Sequence, residues 1–418
     1  MNANCEGLTW GAAEGRPQPL HSPVLEPTAG TFARGACEGA RVKDAGKITG
    51  RRRPSRDGSV PDAAAVAERL IAWYRRARRD LPWRRSRDPY AVWVSEVMLQ
   101  QTQVDRVADY FPRFIDRFPT VKHLARAAEP DVLRLWEGLG YYRRARQLHA
   151  AAKRVVAEHG ATVPRTLAEL RGLPGIGRYT AAAILSIAFD EPEPIVEANS
   201  RRVIARLAGH AAPLDGPGGD EPIWELAETL VPAREAGLFN QALMDLGAMI
   251  CTPDRPRCGD CPLEGLCDAR RTNRTAAIPA RSARRATKQL RETALVVRRA
   301  GRVLVVRRGP GEWWEGLWDF PRVPGGARGA ATAIAASDML TGLGCGRPVK
   351  IGGLVHSVTH HRIALDVVAC AARRPGVTAR GRRWVAEAAL VKLAMTSPGR
   401  RIARLVASAT LPAARGAR

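Results

Sequence analysis

The sequence lacks any long apolar run: no stretch approaches the roughly 18 unbroken apolar residues that a membrane-spanning helix needs. We therefore expect a soluble protein. The N-terminus also lacks the apolar core of a signal peptide, and Glu6, Glu14 and Glu26 are atypical of an arginine-rich, acid-poor transit peptide. The sequence therefore predicts a cytoplasmic protein.

Lysine is scarce, since only seven of the 66 basic residues are Lys and the others are Arg. With 41 acidic residues the formal net charge is +25, which favours a polyanionic partner, either nucleic acid or an anionic membrane surface. Genome composition alone can produce such an Arg excess. The charge therefore raises the expectation of nucleic-acid binding without establishing it.

The length of 418 residues indicates two or three domains. The composition, with 45% hydrophobic and 26% charged residues, excludes wholesale disorder, collagen and coiled coil. We predict a disordered basic tail at 1–60 and an all-α domain at 61–268 that includes a four-cysteine loop. A linker at 269–291 and a smaller α/β domain at 292–410 follow.

The spacing of apolar residues supports this division. Helical periodicity begins at Asp62, which can cap a helix, and recurs to residue 250. The segments with a helical pattern are 91–118, 130–136, 143–159, 167–170, 178–188, 201–208, 223–230 and 239–250. Further on, 293–299 and 303–308 around Gly301 predict a β-hairpin. Other strands are predicted at 352–355 and 363–369, with a helix at 330–341.

Four of the eight cysteines fall within seventeen residues, as Cys251-x6-Cys258-x2-Cys261-x5-Cys267. Four thiolates in a compact loop can hold one 4Fe–4S cluster or one tetrahedral zinc. Structural zinc sites usually have two close cysteine pairs, and only one such pair is present here. The spacing therefore favours the 4Fe–4S cluster, with zinc or chance as the alternatives.

The cysteine loop also encloses Arg255 and Arg257. A loop of this kind would present both side chains outward, where they could contact phosphates. The alternative is that they only solvate the loop.

The second motif is Leu-Pro-Gly-Ile-Gly at 173–177, between two helical patterns. Gly175 and Gly177 allow a sharp turn and expose backbone N–H groups at the start of the next helix, which forms an anion site. In a basic all-α domain this turn predicts a helix-hairpin-helix phosphate clamp.

Two glutamates are candidates for acid–base chemistry. Glu96 lies inside an apolar helical run, where desolvation would raise its pKa and keep it a proton donor near neutral pH. The alternative is a Glu on a solvated helix face. Glu197 follows a short loop and precedes a helix, where the helix dipole alone also favours an acid.

Five segments occur in an order that resembles a known family. They are SEVMLQQTQV at 95–104, GLGYYRRAR at 138–146, LPGIGRYTA at 173–181, FNQALMDLGAMIC at 239–251 and the four-cysteine loop. Together they resemble the A/G-specific adenine DNA glycosylases, the MutY family of the helix-hairpin-helix superfamily, over roughly residues 62–370. The resemblance implies base-excision repair of adenine mispaired with 8-oxoguanine or guanine, and a C-terminal Nudix-like module that reads 8-oxoguanine.

The resemblance also implies residue roles. Glu96 matches the general acid that protonates adenine N7, and Asn199 matches a polar residue beside the second carboxylate. Tyr179 occupies the position where bifunctional relatives carry a catalytic Lys. A phenol cannot form a Schiff base, so a monofunctional glycosylase is expected.

Other matches concern DNA contacts. Gln101 and Tyr141 match side chains that wedge into the opened duplex, and Gln100 adjoins them. Thr102 and Leu139 match contacts around 8-oxoguanine. Trp83 and Arg84 match the wall of the adenine pocket.

The chain departs from the family pattern at two places. The second carboxylate is normally Asp, whereas here it is Glu197, followed by Ala198 in place of Gly. The extra methylene can misplace the carboxylate on the ångström scale and slow the reaction. The family's Phe-Ser-His 8-oxoguanine loop aligns with Val358-Thr359-His360, which keeps His360 but has no stacking aromatic. Weaker lesion discrimination is expected.

We expect the partner to be double-stranded DNA with 8-oxoguanine:A or G:A mispairs. We also expect the protein to be a monomer that binds no membrane. In a bacterium it would associate with the nucleoid. Three alternatives remain. They are a bifunctional glycosylase-lyase, a Nudix pyrophosphohydrolase and a DNA-binding protein that scans lesions with a degraded site. The second is disfavoured because 325–346 holds only Asp338 as an acid, whereas the Nudix metal box needs several Glu.

Overall fold

The computed structural model describes residues 61–214, 218–280, 286–329, 342–375 and 381–408. Helices make up the described residues as far as 271, and a mixed sheet with one further α-helix makes up those after 287. We call these the helical part and the strand part. This arrangement confirms the predicted fold class. The predicted tail at 1–60 and the predicted helix at 330–341 lie outside the described residues.

Twelve helices form the described helical part. They are α1 Ala63–Ala77, α2 Pro89–Leu99, α3 Val104–Arg117, α4 Val121–Arg126, α5 Glu129–Leu135, α6 Arg143–Glu158, α7 Leu167–Gly172, α8 Arg178–Phe189, α9 Ala198–Leu207, α10 Glu221–Leu230, α11 Ala236–Met249 and α12 Asp268–Arg271. As predicted, the Asp62 side chain caps α1 by accepting from the backbone N–H groups of Ala64 and Ala65.

Helix α2 is buried all round. It begins at Pro89 behind the cap residue Asp88, and every side chain from Tyr90 to Met98 is buried. A helix that is apolar on all faces belongs in a core rather than at a surface. Any ionisable side chain on α2 is therefore held away from water.

The expectation of one helical segment over 91–118 is wrong. Helix α2 ends at Leu99 and α3 begins at Val104, and Gln101 between them has φ 55°. Apolar periodicity continues on both sides of this break, so pattern alone conceals it. The break depends on a distant residue, since Arg144 on α6 donates to the carbonyl oxygens of Val97 and Met98 at the end of α2. Helix α4 was not anticipated.

Helices α7 and α8 form the predicted hairpin. Gly175 has φ 80°, and a Cβ added there would lie 2.6 Å from the Cβ of Gln147. Gly177 precedes α8 with an extended backbone (φ −91°), and a Cβ added there would meet nothing within 4 Å. The chain geometry therefore requires glycine at 175 but not at 177.

The strand part is built on a seven-stranded sheet with the order β3-β2-β1-β6-β5, with β4 paired to β1 and β7 paired to β2. The strands are β1 Lys288–Arg299, β2 Arg302–Arg307, β3 Trp318–Asp319, β4 Arg322–Pro324, β5 Val349–Val358, β6 His361–Ala371 and β7 Arg382–Ala386. A final helix, α13, spans Ser397–Ser408.

Two hairpins of this sheet have tight turns. The predicted β1–β2 hairpin turns through Ala300 and Gly301, both with positive φ, as a type I′ turn needs. The β5–β6 hairpin turns through Thr359 and His360, with φ 51° at Thr359. Strand β1 begins at Lys288 and α12 ends at Arg271, so regular structure enters both ends of the predicted linker 269–291.

The strand part packs against the helical part through both apolar and charged contacts. Leu317 and Ala394 are buried in the same hydrophobic cluster as α2 and α6. Arg400 on α13 forms a two-point ion pair with Glu137, with N–O distances of 2.5 and 2.8 Å. Arg400 thus fixes α13 beside residues 136–142, which connect α5 to α6. We call these residues the 136–142 loop.

Over the residues that the structure describes, no helix combines the length and apolar character that crossing a membrane requires.

The two hairpin glycines give a matched stability test. We expect Gly175→Ala to lower the free energy of unfolding by about 1–3 kcal/mol, because alanine is strained at this φ and its Cβ collides with Gln147. Gly177→Ala should change it by less than about 0.5 kcal/mol. Chemical denaturation followed by circular dichroism measures both. Equal losses for the two variants would contradict this account of the hairpin.

Candidate active site

Glu96 is the buried carboxyl of α2, with only 4% of the residue exposed. The Tyr179 hydroxyl on α8 donates to Glu96 Oε2 at 2.6 Å. Burial raises the pKa of Glu96 to about 7; the Tyr179 hydrogen bond and Arg84 oppose this rise, while the negative charge of Glu197 adds to it. The alternative of a solvated Glu is therefore wrong, and the carboxyl is half protonated near neutral pH.

Glu197 stands at the N-terminus of α9 and caps it. Its Oε1 accepts from the backbone N–H of Ser200 at 2.8 Å, and its Oε2 accepts from Asn199 Nδ2 at 3.3 Å. Asn199 is itself held by Arg202, which donates to Asn199 Oδ1 at 2.9 Å. Glu197 therefore accepts two N–H groups, whereas Glu96 accepts one hydroxyl. The two carboxyls have different environments.

A third buried carboxyl, Asp245 on α11, holds the arginines beside Glu96. Arg84 Nη1 lies 2.6 Å from Asp245 Oδ2, and Arg79 Nε lies 2.8 Å from Asp245 Oδ1. The Asp245 side chain is fully buried. Because Arg84 favours the ionised form of Glu96, Asp245 acts on Glu96 indirectly by fixing the position of Arg84. The sequence analysis did not single out Asp245, although it is an acid in an apolar helix, as Glu96 is.

These groups line one open cavity of about 1440 Å³, which we call the shared cavity because residues of both parts line it. Of the residues predicted from the sequence, its lining includes Trp83, Arg84, Glu96, Gln100, Gln101, Thr102, Leu139, Tyr141, Tyr179, Glu197 and Asn199. In total, the described residues of this lining include six arginines and four acids, so the cavity is basic. Such a surface attracts a phosphate backbone.

Arg144 on α6 joins two loops at the rim of the shared cavity. It donates to the carbonyl oxygen of Gln100 and, through Nη2, to Thr102 Oγ1 at 2.9 Å. The same nitrogen donates to the carbonyl oxygens of Leu139 and Gly140 at 3.3 and 3.2 Å. Burial lowers the pKa of Arg144 to about 10. The sequence analysis missed this residue, although an Arg on the apolar stripe of α6 was visible.

The two loops that Arg144 joins present Gln101 and Tyr141. Both residues have positive φ, 55° and 47°, which is uncommon for any side chain other than glycine. Such backbone strain is concentrated at functional sites. Tyr141 is 50% exposed, whereas Leu139 is buried and Gln100 turns inward, donating to Thr180 Oγ1 at 3.1 Å. Gln101 and Tyr141 are therefore the projecting side chains of this rim.

The strand part contributes residues to the shared cavity that the sequence analysis missed. Trp313 and Trp314 line it, and so do residues 356–359 at the end of β5. His360 was predicted to contact DNA, but it is not among the lining residues; its ring instead lies 4.1 Å from that of His361. The hairpin turn points Val358 and Thr359, rather than His360, at the cavity.

The remaining predicted residues lie outside the cavity lining. Gly175 and Gly177 lie in the α7–α8 turn. Arg255 and Arg257 are exposed, as expected, and Arg257 pairs with Asp260 at 3.3 Å. None of these four is brought to the carboxyls.

The four cysteines lie together in the loop after α11 and are partly buried. Burial raises the pKa of the Cys261 thiol to about 12, and the other three cysteines of the loop contribute to this rise. Arg206 Nη1 donates to Cys251 Sγ at 3.4 Å. Four cysteine sulfurs in one loop are a donor set that an iron–sulfur cluster or a zinc ion can use once the thiols are deprotonated. Among the described residues, however, no three such side chains are close enough to hold a single metal ion.

Two family models match the chain. Residues 94–216 match the HhH-GPD superfamily base excision DNA repair protein, and residues 293–405 match the NUDIX domain. The fold and these matches define a chain with a helix-hairpin-helix domain of the HhH-GPD superfamily followed by a NUDIX domain.

The chain is similar to adenine DNA glycosylases. It is 46% identical to that of Rattus norvegicus over 232 residues, which are 53% of this chain and 45% of the rat protein. It is 35% identical to that of Buchnera aphidicola subsp. Schizaphis graminum (strain Sg) over 253 residues, 60% of this chain and 73% of that protein. The chain belongs to the adenine DNA glycosylase family, which confirms the resemblance seen in its sequence.

Two further findings describe the extent of the similarity. The chain spans about half the length of the rat, mouse and human relatives that it matches. A solved structure of a thermostable thymine-DNA glycosylase matches 50% of this chain and 97% of its own, with 31% identity and a TM-score of 0.46.

The raised pKa of Glu96 predicts a pH-dependent stability. Glu96 titrates near 4.5 when unfolded and near 7 when folded, so the folded chain holds the proton longer and stability falls as pH rises through this range. Glu96→Gln removes this loss. The free energy of unfolding of Glu96→Gln, taken relative to that of the wild type at the same pH, should therefore increase by about 3 kcal/mol from about pH 4.5 to pH 8. Denaturant titrations across this range measure the difference. A constant difference would mean that Glu96 is not desolvated.

Proposed function

We propose that this protein hydrolyses the N-glycosidic bond of adenine mispaired with 8-oxoguanine or guanine in double-stranded DNA, acting in base-excision repair as a cytoplasmic monomer. The observation that carries the proposal is the pair of carboxyls in one basic cavity. Glu96 is buried with a pKa of about 7, and Glu197 faces N–H donors at a helix N-terminus. Glycosidic hydrolysis uses two carboxyls held in different protonation states.

An adenine inside a duplex is out of reach, so it must first be extruded from the helix, at a cost of a few kcal/mol. The positive-φ residues Gln101 and Tyr141 support this step, since both project from a rim that Arg144 stiffens. We propose that these two side chains enter the opened duplex. Trp83 and Arg84 then form a wall of the pocket that receives the adenine.

Glu96 delivers its proton to adenine N7, which turns the base into a better leaving group. The sugar left behind develops oxocarbenium character. The Glu197 carboxylate, held in place by hydrogen bonds from the Ser200 backbone N–H and from Asn199 Nδ2, stabilises this cation. Water then bonds to the sugar carbon that held the base and gives up a proton, which restores the acid form of Glu96. Tyr179 orients Glu96 through its hydrogen bond, and both Tyr179 and the charge of Arg84 keep the pKa of Glu96 from rising further.

The proposed enzyme is monofunctional. Strand cleavage through a Schiff base needs an amine. Tyr179 offers only a phenol, which is hydrogen-bonded to Glu96, and no lysine is among the described residues that line the shared cavity. A bifunctional glycosylase-lyase is therefore disfavoured, and borohydride trapping during turnover should yield no covalent complex.

The substitution of Glu197 for the family's Asp is compatible with this role. The side chain turns back to cap α9, so hydrogen bonds from Ser200 and Asn199 fix its carboxylate at the helix N-terminus, where Glu197 lines the cavity. Asn199, positioned by Arg202, supports the carboxylate.

We propose that Cys251, Cys258, Cys261 and Cys267 hold a 4Fe–4S cluster. Four partly buried free thiols beside Arg206 fit the all-thiolate ligation of such a cluster. When bound, the cluster would tie together the loop that carries Arg255 and Arg257. Gly175, Gly177 and these two arginines would then contact DNA phosphates at a distance from the carboxyls.

The role of Glu96 can be tested by single-turnover release of adenine from an 8-oxoguanine:A duplex. Glu96→Gln should lower the rate by about 10²–10⁴-fold or more, with duplex affinity within about one order of magnitude. In the wild type the rate should fall as pH rises through about 7. Tyr179→Phe removes a hydrogen bond that lowers the pKa of Glu96, so this fall should move to higher pH.

Glu158→Gln, at an exposed glutamate of α6, is the matched control and should keep the wild-type rate and pH profile. Adenine release by Glu96→Gln at the wild-type rate would show that another group is the acid. A wild type that binds the duplex but releases no adenine would instead favour the lesion-scanning alternative.

The cluster proposal predicts about four iron and four sulfide per chain in anaerobically purified protein. Cys258→Ser should lose the visible absorption and most of the iron, whereas Cys345→Ser, outside the loop, should lose neither. One zinc per chain with no iron would contradict the proposal.

A further inference from the structure

Two large aromatic side chains stand out because they are exposed. Among the described residues, Tyr141 at 50% and Trp313 at 37% are the aromatic members of the exposed large hydrophobic side chains. Both line the shared cavity, Tyr141 from the helical part and Trp313 from the strand part. An exposed tryptophan that shares a cavity with a second exposed aromatic indicates a binding surface.

Trp313 is presented by a tight loop. The backbone N–H of Gly309 donates to Glu312 Oε2 at 2.5 Å, and that of Gly311 donates to Glu315 Oε2 at 3.3 Å. The next residue, Trp314, has φ 60° and packs against the core of the helical part. The position of Trp313 is thus fixed by its neighbours.

Trp314 is itself enclosed. The Arg322 guanidinium lies 5.2 Å from the centre of its ring, and the His356 ring lies 5.6 Å away. Trp314 is therefore an anchor, whereas Trp313 remains open to the cavity. The side chain available to a ligand is Trp313.

Trp313 also lies beside the hairpin turn that lacks an aromatic residue. Its ring centre is 5.1 Å from that of His361, at an interplanar angle of 52°. His361 directly follows the Thr359–His360 turn, and Val358 and Thr359 line the cavity next to it. The strand part thus places an indole at a point where the turn presents only Val358 and Thr359 to the cavity.

We propose that Trp313, supported by His361, is a stacking surface for the nucleobase that stood opposite the excised adenine. This proposal rests on the proposed function in one respect, that duplex DNA occupies the shared cavity. Every base has a π-face, so stacking on an aromatic residue is tolerant of base identity. Trp313 therefore adds affinity for 8-oxoguanine and guanine alike, and discrimination between them falls to polar groups.

The test measures binding of three non-cleavable duplexes. Each carries tetrahydrofuran, an abasic analogue, in place of adenine, and the opposite position holds 8-oxoguanine, guanine or a second tetrahydrofuran. Trp313→Ala should weaken binding of both purine duplexes by similar factors, from about five-fold to about a hundred-fold. It should leave affinity for the duplex without an opposite base unchanged within about two-fold. Fluorescence anisotropy gives the dissociation constants.

Three variants control for folding and chemistry. Trp313→Leu keeps apolar bulk without a ring and should match Trp313→Ala, whereas Trp313→Phe should retain most of the affinity. Trp384→Phe, on β7 outside the cavity lining, should bind as the wild type does. Should Trp313→Ala fold poorly, the comparison of Trp313→Leu with Trp313→Phe still shows whether an aromatic ring at this position is needed for binding.

Equal weakening on all three duplexes, or none on any, would overturn the proposal. A weakening confined to 8-oxoguanine would also overturn it, because stacking alone cannot make that distinction. None of these measurements requires adenine release, so a failure of the proposed enzymatic activity would be seen separately.

Discussion

Helix α2 is buried on every face, and the proposed chemistry depends on this constraint. Because the helix has no solvated side, Glu96 is almost entirely shielded from water where it meets the shared cavity, and desolvation raises its pKa to about 7. The surrounding groups moderate this effect. Tyr179 and Arg84 favour the charged form, and Asp245 keeps Arg84 in place. A carboxyl in this balance can hold and give up a proton near neutral pH.

The rest of the molecule encloses the space in front of this carboxyl. Arg144 connects the break between α2 and α3 to the 136–142 loop, so the two loops that carry Gln101 and Tyr141 are held by the same side chain. Arg400 connects the same loop to α13 in the strand part. The 136–142 loop is thus held to the helical part by hydrogen bonds from Arg144 and to the strand part by the ion pair of Arg400 with Glu137.

Much of this could be predicted from the sequence because the signals were local. The cap at Asp62, the α7–α8 turn and the β1–β2 hairpin each depend on residues a few positions apart. The apolar neighbours of Glu96 suggested its burial but left a solvated helix face open, and the structure shows that the residue is buried. The family was recognisable because five short motifs kept their order.

What could not be predicted depends on contacts between distant residues. The end of α2 at Leu99 is determined by Arg144, more than forty positions away. His360 was placed by alignment with a family loop, but the turn directs Val358 and Thr359 to the cavity. Trp313 follows no periodic pattern, and only the docking of the strand part reveals that it lines the same cavity as Tyr141.

The central claim is that Glu96 keeps its proton near neutral pH, and the most direct measurement is its own titration. Carbon-13 NMR of protein labelled at glutamate side-chain carboxyls, with the Glu96 signal assigned by its loss in Glu96→Gln, would follow this group alone. The account predicts a midpoint near pH 7. A midpoint near 4.5, the ordinary value for glutamate, would show that the carboxyl is solvated and would contradict the account.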